Sequence, residues 1–163
     1  MHWAHPAMKL SASFFLLLAL VAWFTGCNSG GGRGGVTVTL VDFKPAGTAL
    51  PETRAVITLR VTNENLNPLG FSGSTHKLYL NGSYVGKATS SVPLGLPPVS
   101  SATQDVPILL EKPEFVKQAM RDQPVSSYRM ESALFIMDGE ERIQLKVRSE
   151  GSVDLRGLRA AAR

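Results

Sequence analysis

The chain has 163 residues, of which 44% are hydrophobic and 18% are charged, a balance that suits one domain of ordinary size. Its 17 basic and 13 acidic residues leave a formal net charge of +4. Because the charges are spread singly and form no basic block, we expect no nucleic-acid partner. The one cysteine excludes an internal disulfide, so burial of apolar side chains must stabilise the core.

The N-terminal residues predict export from the cytoplasm. Lys9 precedes an apolar run, Leu10–Phe24, whose length suits a secretory signal peptide. The run is shorter than the roughly twenty residues that span a bilayer as a helix. It leads into Phe24-Thr25-Gly26-Cys27, which resembles the bacterial lipoprotein box, with Phe24 at the position where leucine is usual.

This resemblance to bacterial lipoproteins implies that residues 1–26 are a signal peptide and that Cys27 becomes the lipidated (palmitate-bearing) N-terminus, which would hold the chain at a membrane. Asn28 follows, where an aspartate would favour retention in the inner membrane. In a Gram-negative envelope the expected location is therefore the outer membrane, facing the periplasm. The alternatives are an ordinary cleaved signal or an uncleaved anchor with a chance cysteine.

The residues after Cys27 predict a tether and then a series of β-strands. Asn28–Gly35 is rich in glycine and serine, and such a segment spans on the order of 15 Å. Alternation of apolar and polar residues then predicts strands at Val36–Phe43, Arg54–Asn63, Thr75–Leu80, Tyr84–Ser90, Ala102–Leu110, Ser127–Met137 and Arg142–Ser149. Asn81-Gly82 predicts a tight hairpin turn, and Pro107 predicts a sheet edge or a bulge.

One short helix, Glu111–Arg121, is predicted late in the chain, with an apolar stripe that suits packing over an open end of the core. About seven strands with turns at regular spacing and one short helix are typical of an all-β, immunoglobulin/fibronectin type III-like antiparallel β-sandwich. The predicted organisation is a signal peptide at 1–26, the lipidated cysteine and tether at 27–35, the sandwich at 36–151 and a flexible tail at 152–163.

Several of these segments resemble the desiccation-related group of late-embryogenesis-abundant proteins, whose domain is called the water-stress and hypersensitive-response domain. The residues that carry the resemblance are Val38–Phe43, Leu59–Asn65, Asn67–Leu69, Tyr79–Gly82 with Val85-Gly86, and the strand at Tyr128. The resemblance implies a fibronectin-like sandwich without a cofactor or catalysis. It also implies a role in protecting proteins or membranes under water stress or other stress.

The side chains after Cys27 offer little for catalysis. His76 is the one histidine there, so a Ser-His-Asp triad would depend on it, and the Cys and His ligands of a zinc site are lacking. The adjacent Glu140 and Glu141 suit a solvated turn, and the tether glycines lack the Lys-Ser/Thr of a phosphate-binding loop. We therefore expect no catalytic residue, no metal and no cofactor, and we do not expect an enzyme.

The first functional hypothesis is a non-catalytic, lipid-anchored binding module of the cell envelope that protects proteins or membranes under stress or desiccation. Its partners would be the membrane, through Cys27, and unfolded proteins or lipid surfaces. The predicted contact residues are Leu66, Leu69 and Phe71, in the loop at 64–73, although the same three side chains suit capping of the core. The alternative hypothesis is an accessory structural subunit of an envelope transport or secretion complex.

Overall fold

The computed structural model describes residues 34–46, 53–122, 125–138 and 141–156, and they form nine β-strands and one α-helix. The predicted all-β class with a single short helix is confirmed. The elements in chain order are β1 Val36–Pro45, β2 Arg54–Asn63, β3 Leu69–Phe71, β4 Gly73–Leu80, β5 Ser83–Ser90, β6 Leu94–Leu96, β7 Ser100–Leu110, α1 Pro113–Asp122, β8 Val125–Asp138 and β9 Glu141–Asp154.

Seven of these strands form one antiparallel sheet in the order β1-β2-β7-β5-β4-β8-β9. The sheet has two layers, β1-β2-β7 and β5-β4-β8-β9, joined by a ladder of three residue pairs between β5 and β7. Strands β1 and β9, at the two ends of this order, pack against each other, so the sheet is nearly closed. The short strands β3 and β6 pair separately.

The core lies between the two layers and follows the predicted alternation. Val36, Val38 and Leu40 point inward from β1, and a register shift between Leu40 and Asp42 then resets the alternation so that Phe43 is also buried. A β-bulge has this effect because its extra residue moves the following side chains to the other face. The largest fully buried apolar side chains include Phe43, Ile57, Leu59, Leu78, Leu80, Leu96, Ile108, Met130, Leu134 and Leu155.

The strand pattern differs from the prediction at several points. Strand β3 lies within the loop predicted at 64–73, and β6 lies outside the seven predicted strands. Strand β7 is interior in the strand order and has no bulge at Pro107, but Pro107 itself is paired only with β2, because the ladder to β5 covers only residues 108–110. The predicted edge is therefore local to Pro107. Strand β9 continues to Asp154, and Val153 and Leu155 are buried. The folded domain therefore extends beyond the predicted boundary at residue 151.

Helix α1 packs against the core, as its apolar stripe predicts. Val116 and Ala119 are buried, and Phe115 and Met120 pack against the core while half-buried. The helix lies beside the turn between β4 and β5, where Asn81 and Gly82 both have positive φ, as the hairpin prediction requires. This is the end of the sandwich opposite the start of β1.

At the other end, where β1 begins, a buried amide holds three backbone segments together. The Asn63 side chain is fully buried and donates hydrogen bonds to the carbonyl oxygens of Asn67 at 2.9 Å and Pro97 at 3.0 Å. Its Oδ1 accepts the N–H of Asn65 at 3.0 Å. We call this end of the sandwich, with the loops at 64–68, 91–93 and 97–99, the tether end.

We expect Asn63→Ala to lower the free energy of unfolding by about 2–3 kcal/mol, because it removes a buried amide and the three hydrogen bonds that it makes with the backbone. Denaturant unfolding of the purified protein would measure the change. The control is Asn67→Ala, since the Asn67 side chain is exposed, and we expect a change within about 0.5 kcal/mol. Equal effects of the two substitutions would contradict the role assigned to Asn63.

Candidate functional site

The predicted lipidation site, Cys27, lies outside the described residues, but the point where its tether joins the domain is held tightly. Asn65 Nδ2 donates to the carbonyl oxygens of Gly34 at 2.8 Å and Gly35 at 3.2 Å, and the Glu64 N–H donates to Gly35 at 2.7 Å. Gly35 has a φ of +67°, and a Cβ there would collide with the Asn65 side chain. The chain therefore leaves the domain at a defined point, eight residues after Cys27.

The predicted contact residues do not form one exposed patch. Leu66 is 84% exposed, whereas Phe71 is only 3% exposed and Leu69 is half-buried against the core. Leu69 and Phe71 belong to β3, where pairing with β6 turns both of them toward the core. The expectation of a three-residue patch is thus wrong for Phe71 and Leu69, which cap the core, and Leu66 alone is available at the surface.

Other apolar side chains join Leu66 at the tether end. Val99 is 69% exposed, Val92 is 62% exposed, and Ile143, at the start of β9, is 43% exposed. The Val99 N–H donates to the Asn65 carbonyl at 3.1 Å, so Val99 lies beside the loop that carries Leu66. We call Leu66, Val92, Val99 and Ile143 the apolar rim.

Val99 is held in a strained backbone conformation, with a φ of +47°. A β-branched residue rarely adopts this region, because its side chain crowds the backbone. Such strain persists only where surrounding contacts impose it, here the hydrogen bond to Asn65. Both the positive φ and the exposed apolar side chain of Val99 lower the stability of the folded protein. Because stability does not explain Val99 at this position, we treat the apolar rim as a candidate contact surface.

His76, the one candidate catalytic base, is part of the core. Its side chain is buried in β4, with Nδ1 2.8 Å from Ser132 Oγ and Nε2 2.9 Å from Ser74 Oγ. Burial lowers the pKa of His76 to about 4, so the imidazole is neutral at physiological pH. Both ring nitrogens are bonded to serine hydroxyls, and no carboxylate among the described residues hydrogen-bonds to the ring. The arrangement stabilises a polar group in the core and lacks the acid of a triad.

The surroundings of His76 also leave no room for a substrate. The adjacent cavity measures about 10 Å³, which is space for at most one water molecule. Within the described part of the chain, no group of three or more His, Cys, Asp or Glu side chains could hold a metal ion. No helix in that part is sufficiently long and apolar to cross a bilayer.

A concave surface lies on the outward face of β5-β4-β8-β9, with a volume of about 680 Å³. Four cations line it, Lys77, Lys87, Lys146 and Arg148, together with a single carboxylate, Glu131. We call this surface the basic depression. The sequence analysis missed it because these charges are far apart along the chain. Alternation places each of them on the outward face of its strand, but only the strand order brings them together.

Comparison with known proteins gives a likeness of fold. No known family model matches the chain, and no curated protein matches it. The solution structure of AT1g01470 from Arabidopsis thaliana has a TM-score of 0.51 at 17% identity, covering 74% of this chain and 80% of that one. This likeness supports the β-sandwich and extends no further.

Two other solved structures have lower similarity. At2g46140.1, described as a candidate late embryogenesis abundant (LEA) protein, has a TM-score of 0.42 at 14% identity, covering 95% of this chain and 96% of that one. The Bacillus subtilis protein ycdA, described as a candidate lipoprotein, has a TM-score of 0.42 at 11% identity, covering 81% of this chain and 41% of that one. At these TM-scores neither likeness supports a conclusion about function.

The buried His76 predicts a specific pH dependence of stability. Since its pKa is about 4 in the folded state and 6.5 unperturbed, the unfolded state accepts a proton that the folded state resists. Between these two pH values the free energy of unfolding should fall with decreasing pH, by up to about 3 kcal/mol.

The matched variant is His76→Gln, which keeps hydrogen-bonding capacity and cannot titrate. Denaturant unfolding of both proteins between about pH 4 and pH 7 would measure the difference in slope, because the carboxylates contribute equally to both. Parallel pH profiles for the two proteins would contradict the assignment of a neutral, buried His76.

Proposed function

We propose that this protein is a non-catalytic, lipid-anchored binding module of the cell envelope, which protects proteins or membranes under stress. The observation that carries the proposal is the position of the apolar rim at the end where the tether joins the domain. The proposed location is the outer membrane, facing the periplasm, and membership of the late-embryogenesis-abundant group is part of the same proposal.

The geometry of the attachment supports a membrane-proximal role. Hydrogen bonds from Asn65 clamp Gly34 and Gly35, and the predicted tether before them spans on the order of 15 Å. An acyl chain on Cys27 would therefore keep the tether end close to the lipid headgroups. The described C-terminal residue, Arg156, follows β9 at the opposite end of the sandwich, and so would point away from the membrane.

The exposed side chains support binding of apolar surfaces at this end. Leu66, Val92 and Val99 are the three most exposed large hydrophobic residues in the described part of the chain, and all three lie in loops of the tether end. An exposed apolar patch typically marks contact with a membrane or another protein, and the hydrogen bond from the Val99 N–H to the Asn65 carbonyl holds Val99 beside the loop of Leu66. At this end they would meet the bilayer surface or the apolar segments of partly unfolded proteins near it.

The surroundings of His76 support a role without catalysis. Both ring nitrogens are engaged by serine hydroxyls, and the adjacent cavity is too small for a substrate. A general base needs a free nitrogen within hydrogen-bond reach of its substrate. Binding is therefore the mode of action that these side chains favour.

Lipid attachment is tested by metabolic labelling. Cells that produce the protein should incorporate labelled palmitate into it, and the protein should fractionate with membranes. Cys27→Ser should abolish the label and release the protein from the membrane fraction, because the thiol is the acylated group. Label that persists in Cys27→Ser would contradict the proposed anchor.

The contact role of the rim is tested by heating an aggregation-prone enzyme with the purified protein at equal molar amounts. We expect reduced light scattering, and we expect Leu66→Asp and Val99→Asn to weaken this protection. Val99→Asn should at the same time raise the free energy of unfolding by about 1 kcal/mol, because asparagine tolerates positive φ.

The control for the rim is Leu109→Asp. Leu109 is also an exposed large hydrophobic residue, 55% exposed, but it lies in β7 toward the opposite end of the sandwich. Protection should be unchanged in this variant. Scattering that is unaffected by the wild-type protein, or equal loss of protection in Leu109→Asp, would contradict the proposal.

A further inference from the structure

The cations of the basic depression are neighbours in the sheet. In one row across β5, β4, β8 and β9, Lys87 is opposite Lys77, Lys77 is opposite Glu131, and Glu131 is opposite Arg148. In the next row, Lys146 is opposite Ala133. The four cations and Glu131 sum to a charge of +3, and Glu150, which forms an ion pair with Arg148, lowers the local sum to +2.

This arrangement is unfavourable for the free protein. Like charges directly opposite each other on antiparallel strands destabilise the pair, and Lys77 and Lys87 are in that position. Within the described residues no ion pair involves Lys77, Lys87 or Lys146, and Arg148 pairs along its own strand with Glu150 at 2.8 Å. Among the described residues, Lys87 and Lys146 therefore have no carboxylate opposite them in the sheet, and the one carboxylate, Glu131, lies between Lys77 and Arg148.

The shape of the depression suits a ligand that reaches both groups of cations. Ala133, on β8, lines the depression and has a small side chain. It leaves space between Lys77 and Lys87 on one side and Lys146 and Arg148 on the other. Strands β4 and β9 are two strand spacings apart, or about 10 Å, a gap that lysine and arginine side chains can close from both sides. The volume of about 680 Å³ is in the range of small-molecule sites.

We propose that the basic depression is a binding site for a ligand that carries two or more phosphate or carboxylate groups. One anionic group would contact Lys77 and Lys87, and another would contact Lys146 and Arg148. Bound anions would reduce the repulsion between Lys77 and Lys87. This inference goes beyond the proposed function and does not depend on it, because the depression lies on the side of the sandwich and involves neither the lipid nor the rim.

Glu131 restricts where the ligand lies. Its carboxylate is in the same row as Lys77 and Arg148, so an anionic group directly above it would be repelled. The row of Ala133 and Lys146 is free of acidic side chains and leads toward Phe135 and Gln144 at the margin of the depression. The ligand would therefore cross the sheet at Ala133, away from Glu131.

The experiment measures thermal unfolding and binding of the full chain, purified in a non-ionic detergent, with tripolyphosphate as the probe. We expect tripolyphosphate to raise the Tm more than sodium chloride at the same ionic strength. Citrate in place of tripolyphosphate tests carboxylates. Phosphatidylglycerol mixed into the micelles tests whether a lipid headgroup is the source of the anion, as opposed to a soluble ligand.

Lys77→Ala and Lys87→Ala should each raise the Kd for tripolyphosphate about tenfold, because each removes a charged contact. The control is Arg60→Ala, which removes a cation from the exposed side of β2 in the other layer and should leave the Kd unchanged. Lys87→Glu should raise the Tm without ligand, since it replaces the repulsion between residues 77 and 87 with an attraction, and should abolish the response to tripolyphosphate.

The Lys87→Glu variant separates loss of binding from loss of folding, because it is expected to be the more stable protein. No Tm increase with tripolyphosphate, citrate or phosphatidylglycerol in the wild type would overturn the proposal. A full response that persists in both Lys77→Ala and Lys87→Ala would overturn it as well. The palmitate labelling experiment on Cys27 does not depend on any of these measurements. The proposed anchor and the proposed anion site can therefore be contradicted independently.

Discussion

The tether end of this protein depends on the buried amide of Asn63. One side chain donates to the loop at Asn67 and to the segment at Pro97, and accepts from Asn65, whose own amide holds Gly34 and Gly35. Buried polar groups must be paired, so this network permits few other arrangements of the surrounding loops. The positions of Gly34 and Gly35 and the conformation of the loop at 64–68, which carries the exposed Leu66 and accepts the Val99 N–H, depend on it.

Two surfaces of the molecule contain residues that lower the stability of the folded protein. Val99 holds a positive φ while its side chain is exposed, and Lys77 and Lys87 are like charges directly opposite each other. Natural proteins commonly retain such destabilising residues at functional sites, including binding surfaces. The rim and the basic depression are on different parts of the sandwich, one at its tether end and one on its side, so a membrane-proximal contact and an anionic ligand are compatible.

The strands could be predicted because alternation records which side chains face the core. Arg54–Asn63 is a strand with the predicted bounds, and the turn at Asn81-Gly82 has the expected positive φ. The short strand β3 was missed, since three residues carry too little alternation to distinguish a strand from a loop. The end of β9 was also missed, because Glu150, Gly151 and Ser152 interrupt the apolar pattern before the buried Val153. Pairing with β8 is what keeps this segment in the sheet.

The sequence by itself determined the all-β class, most of the strands and the prediction of a lipid anchor, because these depend on local order along the chain. Tertiary structure decided which candidate residues reach the surface: pairing of β3 with β6 buried Phe71 and left Leu66 exposed. It placed His76 between two serines in the core. It also gathered Lys77, Lys87, Lys146 and Arg148 on one face, since neighbours across a sheet depend on strand order and register, which local alternation does not encode.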